Sequence, residues 1–115
     1  MDDIMQKTRE LVEAITSSDE YVQYQRLQKK LESDRALFDR VNEYRRRSFL
    51  LHNRSEHENT IQQVRALREE YKKELSSQDV MEYLIAEQTI CNRIRDISQA
   101  IADGVVIDYH FLENE

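Results

Sequence analysis

Residues 79–103 read DVMEYLIAEQTICNRIRDISQAIAD. Within them Val80, Tyr83, Leu84, Ile90, Cys91, Ile94, Ile97 and Ile101 recur largely at steps of three and four, the spacing of one face of an α-helix. Gly104, the one glycine of the chain, follows directly, and its tolerance of positive φ suits the C′ position that closes a helix. No other segment carries so broad an apolar stripe. The remaining helices are therefore expected to pack around this one, with Cys91 in the core as a small apolar residue.

Composition agrees with long helices. The 115 residues contain no proline and one glycine, and 35% of them are charged. The apolar fraction is 39% and is gathered into stripes. Helices with narrow stripes bury little each, so a single copy would have a thin core and a second chain is expected to cover part of it. A formal charge of −6 argues against a nucleic-acid binder as a whole. A lone cysteine forms no internal disulfide, which fits a reducing compartment. The N-terminus shows no basic-then-apolar signal pattern, and no apolar run has the ~18 residues of a membrane-spanning helix. These features lead to the expectation of a cytoplasmic protein with no membrane partner.

Upstream of the quoted stretch, four more helices are legible. The first starts at Asp2 or Asp3, with Ile4, Thr8, Leu11, Val12 and Ile15 as its inner face, and stops at Thr16-Ser17-Ser18. Ser17 and Glu20 have the spacing of a capping box for the second helix, which carries Tyr21, Tyr24, Leu27 or Gln28, and Leu31. Ser33 or Asp34 caps a third helix from about Arg35 to His52, with Leu37, Phe38, Val41, Tyr44, Ser48 and Leu51 along one side. A turn or kink is expected around Ser55 and Glu58, a second capping-box pair, although a continuous rod stays open. The fourth helix runs to Leu75 on the narrow stripe Ile61, Val64, Leu67, Tyr71 and Leu75, and Ser76-Ser77 caps the last helix. Downstream of Gly104 comes an apolar tail, Val105 to Leu112, expected to fold back on the bundle or reach into a partner chain.

The third helix holds the residues that stand out. Leu50 falls nearly opposite its apolar stripe at ~100° per residue, and with Phe49 it marks a second contact surface. A subunit interface and a contact with another helix of the same chain both remain open for this pair. Six arginines lie between residues 35 and 54 against Asp39 and Glu43. They mark either a docking surface for RNA or an acidic partner, or a solvated helix surface; no base-stacking aromatics are interleaved with them.

Little else points to chemistry. His52 and His57 are five apart, whereas metal-binding helices use i, i+4, so no metal site is expected from His52, Glu56, His57 and Glu58. Glu87 sits within the apolar stripe of the last helix, where a carboxylate needs a partner. An arginine of the third helix or a tyrosine hydroxyl would supply one. With no accompanying His, Ser or Lys motif, a structural pair outweighs a catalytic acid or base. There is no phosphate-cradling glycine loop and no nucleophile elbow, so no enzyme is expected.

Four segments, in order, carry a resemblance: Ala14-Ile15-Thr16-Ser17-Ser18-Asp19-Glu20-Tyr21, Leu37-Phe38-Asp39-Arg40-Val41 leading to Tyr44-Arg45, Tyr83-Leu84-Ile85-Ala86-Glu87-Gln88, and Asp108-Tyr109-His110-Phe111-Leu112. With them the chain resembles the YlbF/YmcA family of small bacterial proteins. The resemblance implies an antiparallel helical bundle that associates with copies of itself or with sister family members, and a cytosolic, non-enzymatic regulator. The best-known members form a complex that acts with RNase Y in messenger RNA maturation and decay, and loss of those particular members affects competence, sporulation and biofilm formation. Some members hold iron–sulfur clusters through several cysteines; with Cys91 alone, no cofactor is expected here.

The expectation is therefore an all-α antiparallel bundle of about five helices over residues 1–104, dimeric or larger, with an apolar tail over 105–115. Its partner or oligomer surface is assigned to Arg45, Arg46, Arg47, Phe49 and Leu50, with Tyr109, Phe111 and Leu112 of the tail, since aromatic and arginine anchors dominate interfaces. Glu87 is assigned a buried structural role. The alternative function is RNA binding through the arginine-rich third helix.

Overall fold

The computed structural model describes residues 2–53 and 60–113. Among them lie six α-helices, one 3-10 turn and no strand. In chain order these are α1 (Asp3–Thr16), α2 (Asp19–Glu32), α3 (Arg35–His52), α4 (Thr60–Glu70), α5 (Lys72–Leu75), α6 (Gln78–Gly104) and the turn His110–Leu112. The protein is all-α, in agreement with its composition.

Short polar side chains set the helix starts. Asp2 accepts from the Ile4 amide, Ser18 from Tyr21, Asp34 from Leu37 and Ser77 from Val80. Each satisfies one of the amides that a helix start leaves without an intrahelical acceptor. Ser18 rather than Ser17 caps α2, because Ser17 is taken up as the C-cap of α1 and Ser18 is the residue with extended backbone at the start of α2. The Ser55–Glu58 pair lies outside the described residues. The expected fourth helix is divided at Tyr71, whose φ of −108° and ψ of 22° break the helical run between α4 and α5.

The core lies at one end of the molecule. Leu27 and Leu31 of α2, Phe38 and Val41 of α3, and Val80 and Tyr83 of α6 form one buried cluster, with Tyr24, Leu37, Leu75 and Leu84 packed against it. Leu67, Tyr71 and Ala86 are buried beside them. Helix α2 runs antiparallel to α6, as three ties show: Lys30 to Asp79 at 3.0 Å, Gln28 to the Tyr83 hydroxyl at 3.2 Å, and Glu20 to Arg93 at 3.3 Å. Helix α3 runs antiparallel to α4 and α5, with Arg47 bonded to Glu70 and Arg40 to Glu74. The third and fourth helices are thus packed neighbours and not one rod. The molecule is flat, with extents of 51 × 41 × 16 Å, a thickness of little more than two helices at the usual 8–10 Å spacing.

The free end of α6 and helix α1 depart from expectation. Arg93 already reaches the first turn of α2, so residues 94–104 of α6 run past the bundle. Cys91 is therefore exposed and not a core residue. Ile94 and Ile101 remain 49% and 58% exposed although they continue the apolar stripe. At the free end of α6 nothing forces a sharp stop, so the helix continues through Gly104, which has no positive φ, and leaves by extended backbone at Val105. Helix α1 likewise has no buried residue: Ile4, Leu11 and Val12, expected to face inward, are exposed, with no helix among the described residues covering them. The tail does not fold back on the bundle; residues 105–113 are exposed.

Candidate partner-binding surface

Three of the arginines on α3 are drawn into the fold. Arg45 projects toward α6 and is the partner of Glu87, with Nε 3.0 Å from Oε2. Its other donors reach the Asn42 Oδ1 at 2.9 Å, the Tyr83 hydroxyl at 2.8 Å, the Tyr24 hydroxyl at 3.2 Å and again Glu87. Those acceptors account for all five N–H groups of a guanidinium. Burial is the largest single influence and opposes the charge on Arg45, but the hydrogen bonds it donates to Glu87, together with the attraction of Glu87, Tyr83 and Tyr24, hold its pKa above the ordinary arginine value. The Tyr24 and Tyr83 rings stack with centroids 5.0 Å apart, and burial followed by the Tyr24 hydrogen bond pushes the Tyr83 hydroxyl up. Glu87 is half-buried, 32% exposed in its side chain against 24% for Arg45, and not fully enclosed as expected.

Tyr71 gathers the other two. It is fully buried, donates to Glu43, accepts from Arg47 at 3.1 Å and lies under the Arg40 guanidinium at 4.4 Å from its ring centroid. Burial raises its pKa, and Glu43 adds to the effect. The Arg47 bond to Glu70 at 2.6 Å holds that carboxylate below the usual range. Arg40 is tied to Glu74 at 3.3 Å.

What remains at the surface is narrower than the expected patch. Arg46 is exposed, Phe49 is 67% exposed, and Leu50 is exposed toward α4. An open groove of about 390 Å³ runs between α3 and α4, lined by Arg47, Leu50, Leu51, Gln63, Ala66, Leu67 and Glu70. The groove residues on α4 escaped sequence reading. Ala66 beside Leu67 was the available sign, since a small residue next to a packed one leaves a gap between helices. Tyr109 and Phe111 of the tail are exposed with ring centroids 6.5 Å apart, and Leu112 is exposed beside them. The structure brings Phe49 and Leu50 together with the groove; it leaves the tail in solvent and turns Arg45 inward.

Two further features bear on chemistry. Among the described residues, no three His, Cys, Asp or Glu side chains are grouped to hold a metal ion. His52 contacts the Ser48 carbonyl at 2.7 Å, and Glu56, His57 and Glu58 lie outside the described residues. Among the described residues, no helix is long and apolar enough to cross a membrane.

This arrangement of long helices, an α2–α6 core and an arginine-rich α3 coincides with a known sequence profile, that of the control of competence regulator ComK, YlbF/YmcA, over residues 4–106. The chain belongs to the YlbF/YmcA family. The matched span takes in all six helices and stops as the tail begins. The chain is also similar to a UPF0342 protein of Caldicellulosiruptor bescii, 30% identical over 98 residues that make up 84% of this chain and 82% of that protein. No solved structure matches it. The family description is that of regulators of competence, and a regulatory role fits a YlbF/YmcA chain built of packed helices and exposed contact surfaces.

Proposed function

We propose that this YlbF/YmcA protein is a non-enzymatic cytosolic adaptor that regulates by presenting surfaces to other proteins. Its partners are copies of itself or sister family members and, through them, the RNase Y RNA-processing machinery. The observation that carries the reading is the exposure of Phe49 and Leu50 beside the α3–α4 groove, on a helix whose opposite side is built into the core. An apolar pair next to the exposed Arg46 offers contact area and steering toward an acidic protein surface. The exposed Tyr109, Phe111 and Leu112 extend the contact surface the protein offers.

RNA binding through α3 has less to stand on. Arg40, Arg45 and Arg47 are bonded to Glu74, Glu87 and Glu70, so their charges are balanced within the fold. The test is a tagged pull-down from the native cytosol with nuclease treatment, read by mass spectrometry. Recovery of RNase Y or sister family proteins despite nuclease, lost in a Phe49→Asp/Leu50→Asp variant, is the expected result. Recovery of RNA-processing proteins only without nuclease, or direct RNA binding that falls steeply with salt, would transfer the function to RNA.

A further inference from the structure

From Arg65 to Leu75 the chain carries four cations, Arg65, Arg68, Lys72 and Lys73, against three glutamates, Glu69, Glu70 and Glu74. Read locally, these charges nearly balance along one helical surface. The fold removes that balance. Arg47 of α3 holds Glu70 at 2.6 Å, and Arg40 of α3 holds Glu74 at 3.3 Å. The carboxylate left over, Glu69, meets Lys72 only at 4.0 Å, with the two side chains 77% and 74% exposed. Arg65, Arg68, Lys72 and Lys73 are all exposed, and among the described residues neither Arg65 nor Arg68 has an ion-pair partner. Ile61, Arg65 and Arg68 recur at i, i+4 and i+7, so they share one face of α4, ~10 Å long at 1.5 Å per residue. By helical period that face lies opposite Gln63, Ala66, Leu67 and Glu70, which line the groove against α3. Ile61 is 71% exposed.

We infer that this outer face of α4, continued by Lys72 and Lys73, docks an acidic helical segment of a partner protein. The inference deepens the adaptor reading and rests on it, adding a surface distinct from Phe49 and Leu50. Charge selects the partner. The chain has a formal charge of −6, yet this face gathers four cations around one uncommitted carboxylate, so it attracts what the rest of the surface repels. Carboxylates at i, i+4 and i+7 of an incoming helix match the spacing of the row. Ile61 supplies the apolar contact that exposed ion pairs, weak by themselves, need beside them. RNA fits less well. Single strands stack their bases on aromatic side chains, and the one aromatic residue between Thr60 and Leu75, Tyr71, is fully buried. A phosphate chain running beyond the row would also meet a molecule with an excess of acid.

The test uses the full chain and a labelled helical peptide of about 14 residues, with glutamates and one leucine on a single face. Binding is read by fluorescence anisotropy at ~0.1 M ionic strength. Saturable binding is expected, and none for the same peptide with glutamine in place of glutamate. Arg65→Gln/Arg68→Gln should weaken binding about tenfold. Both residues are exposed, so helix content by circular dichroism should be unchanged. Lys7→Gln/Lys29→Gln removes the same charge from exposed positions of α1 and α2 and should bind as the parent does. So should Phe49→Ser/Leu50→Ser. Equal losses in the two glutamine variants would reduce the effect to net charge and overturn the inference. Loss of the peptide in Phe49→Ser/Leu50→Ser would place it on the other surface and overturn the inference too. A single-stranded RNA that binds the parent more tightly than the peptide, and is released by Arg65→Gln/Arg68→Gln, would overturn the choice of a protein partner. A parent that ignores the peptide but still retains its protein partner through Phe49 and Leu50 would overturn the inference and leave the adaptor reading standing.

Discussion

Arg45 on α3 and Glu87 on α6 form the polar hinge pin of this bundle, with Nε 3.0 Å from the carboxylate and the guanidinium planted on two stacked tyrosines. The pair is half-buried, so its worth lies between the ~0–1 kcal/mol of an exposed ion pair and the ~3–5 kcal/mol lost on breaking a buried one. Glu87→Gln is expected to lower stability by about 1–2 kcal/mol in urea unfolding. The double variant Arg45→Met/Glu87→Leu should lose less than the sum of its single variants, because neither leaves a charge behind. Strict additivity would mean the two side chains do not act together.

Tyr71 separates packing from hydrogen bonding at the α4–α5 break. Its ring is fully enclosed, so Tyr71→Ala should cost about 3–5 kcal/mol by thermal or denaturant unfolding. Tyr71→Phe keeps the ring and removes only the bonds with Glu43 and Arg47, a loss of about 1 kcal/mol. Equal losses for the two variants would make the hydroxyl, and not the ring, the feature that holds the break.

Stability should fall at both ends of the pH range. The carboxyls of Glu70 and Glu74 are lowered from 4.5, the first by Arg47 and the second chiefly by a backbone hydrogen bond. Their contribution is present above 4.5 and is lost as pH falls through the lower folded values, because the unfolded chain then binds the proton first. Tyr83 and Tyr71 are raised from 10.0, mainly by burial. Their contribution is complete below 10 and is lost as pH rises through the folded values. The denaturant midpoint should therefore be flat between these limits. Ultraviolet titration should show Tyr71 and Tyr83 ionising at higher pH in the folded protein than in the unfolded chain.

Leu50 and Leu67 face the same groove with opposite roles. Leu67 is buried, and Leu67→Ala should cost about 2–5 kcal/mol. Leu50→Ser changes an exposed side chain and should stay within about 0.5 kcal/mol of the parent while weakening partner retention. A destabilised Leu50→Ser would show that this side chain serves the α3–α4 packing instead.

The residues differ in how far they could be read without the fold. Leu31, Phe38, Val41, Val80 and Tyr83 were legible, since each lies on a stripe of helical period and is buried, and the choice left open between Leu27 and Gln28 falls to the buried Leu27. Cys91, Ile94 and Ile101 continue that stripe and are exposed. Periodicity reports which face of a helix is apolar, and it carries no information on where the neighbouring helix ends. The same gap explains Arg45 and Arg46, adjacent in sequence and alike in chemistry. The fold turns Arg45 onto Glu87 and leaves Arg46 in water. Gly104 was misread for a related reason: a glycine permits a left-handed stop but does not impose one where nothing packs against the helix end.

By itself the sequence determined the helical class, the caps that start α1, α3 and α6, and the inward stripes of α2, α3 and the first half of α6. These rest on local physics: short polar caps, a 3.6-residue period and the lack of proline. Only the tertiary structure decided that α3 folds back against α4, that Arg40, Arg45 and Arg47 neutralise glutamates of other helices, and that α1 and the end of α6 lie uncovered. Those outcomes depend on the relative lengths and crossing of helices far apart in the chain, and no local pattern of residues encodes them.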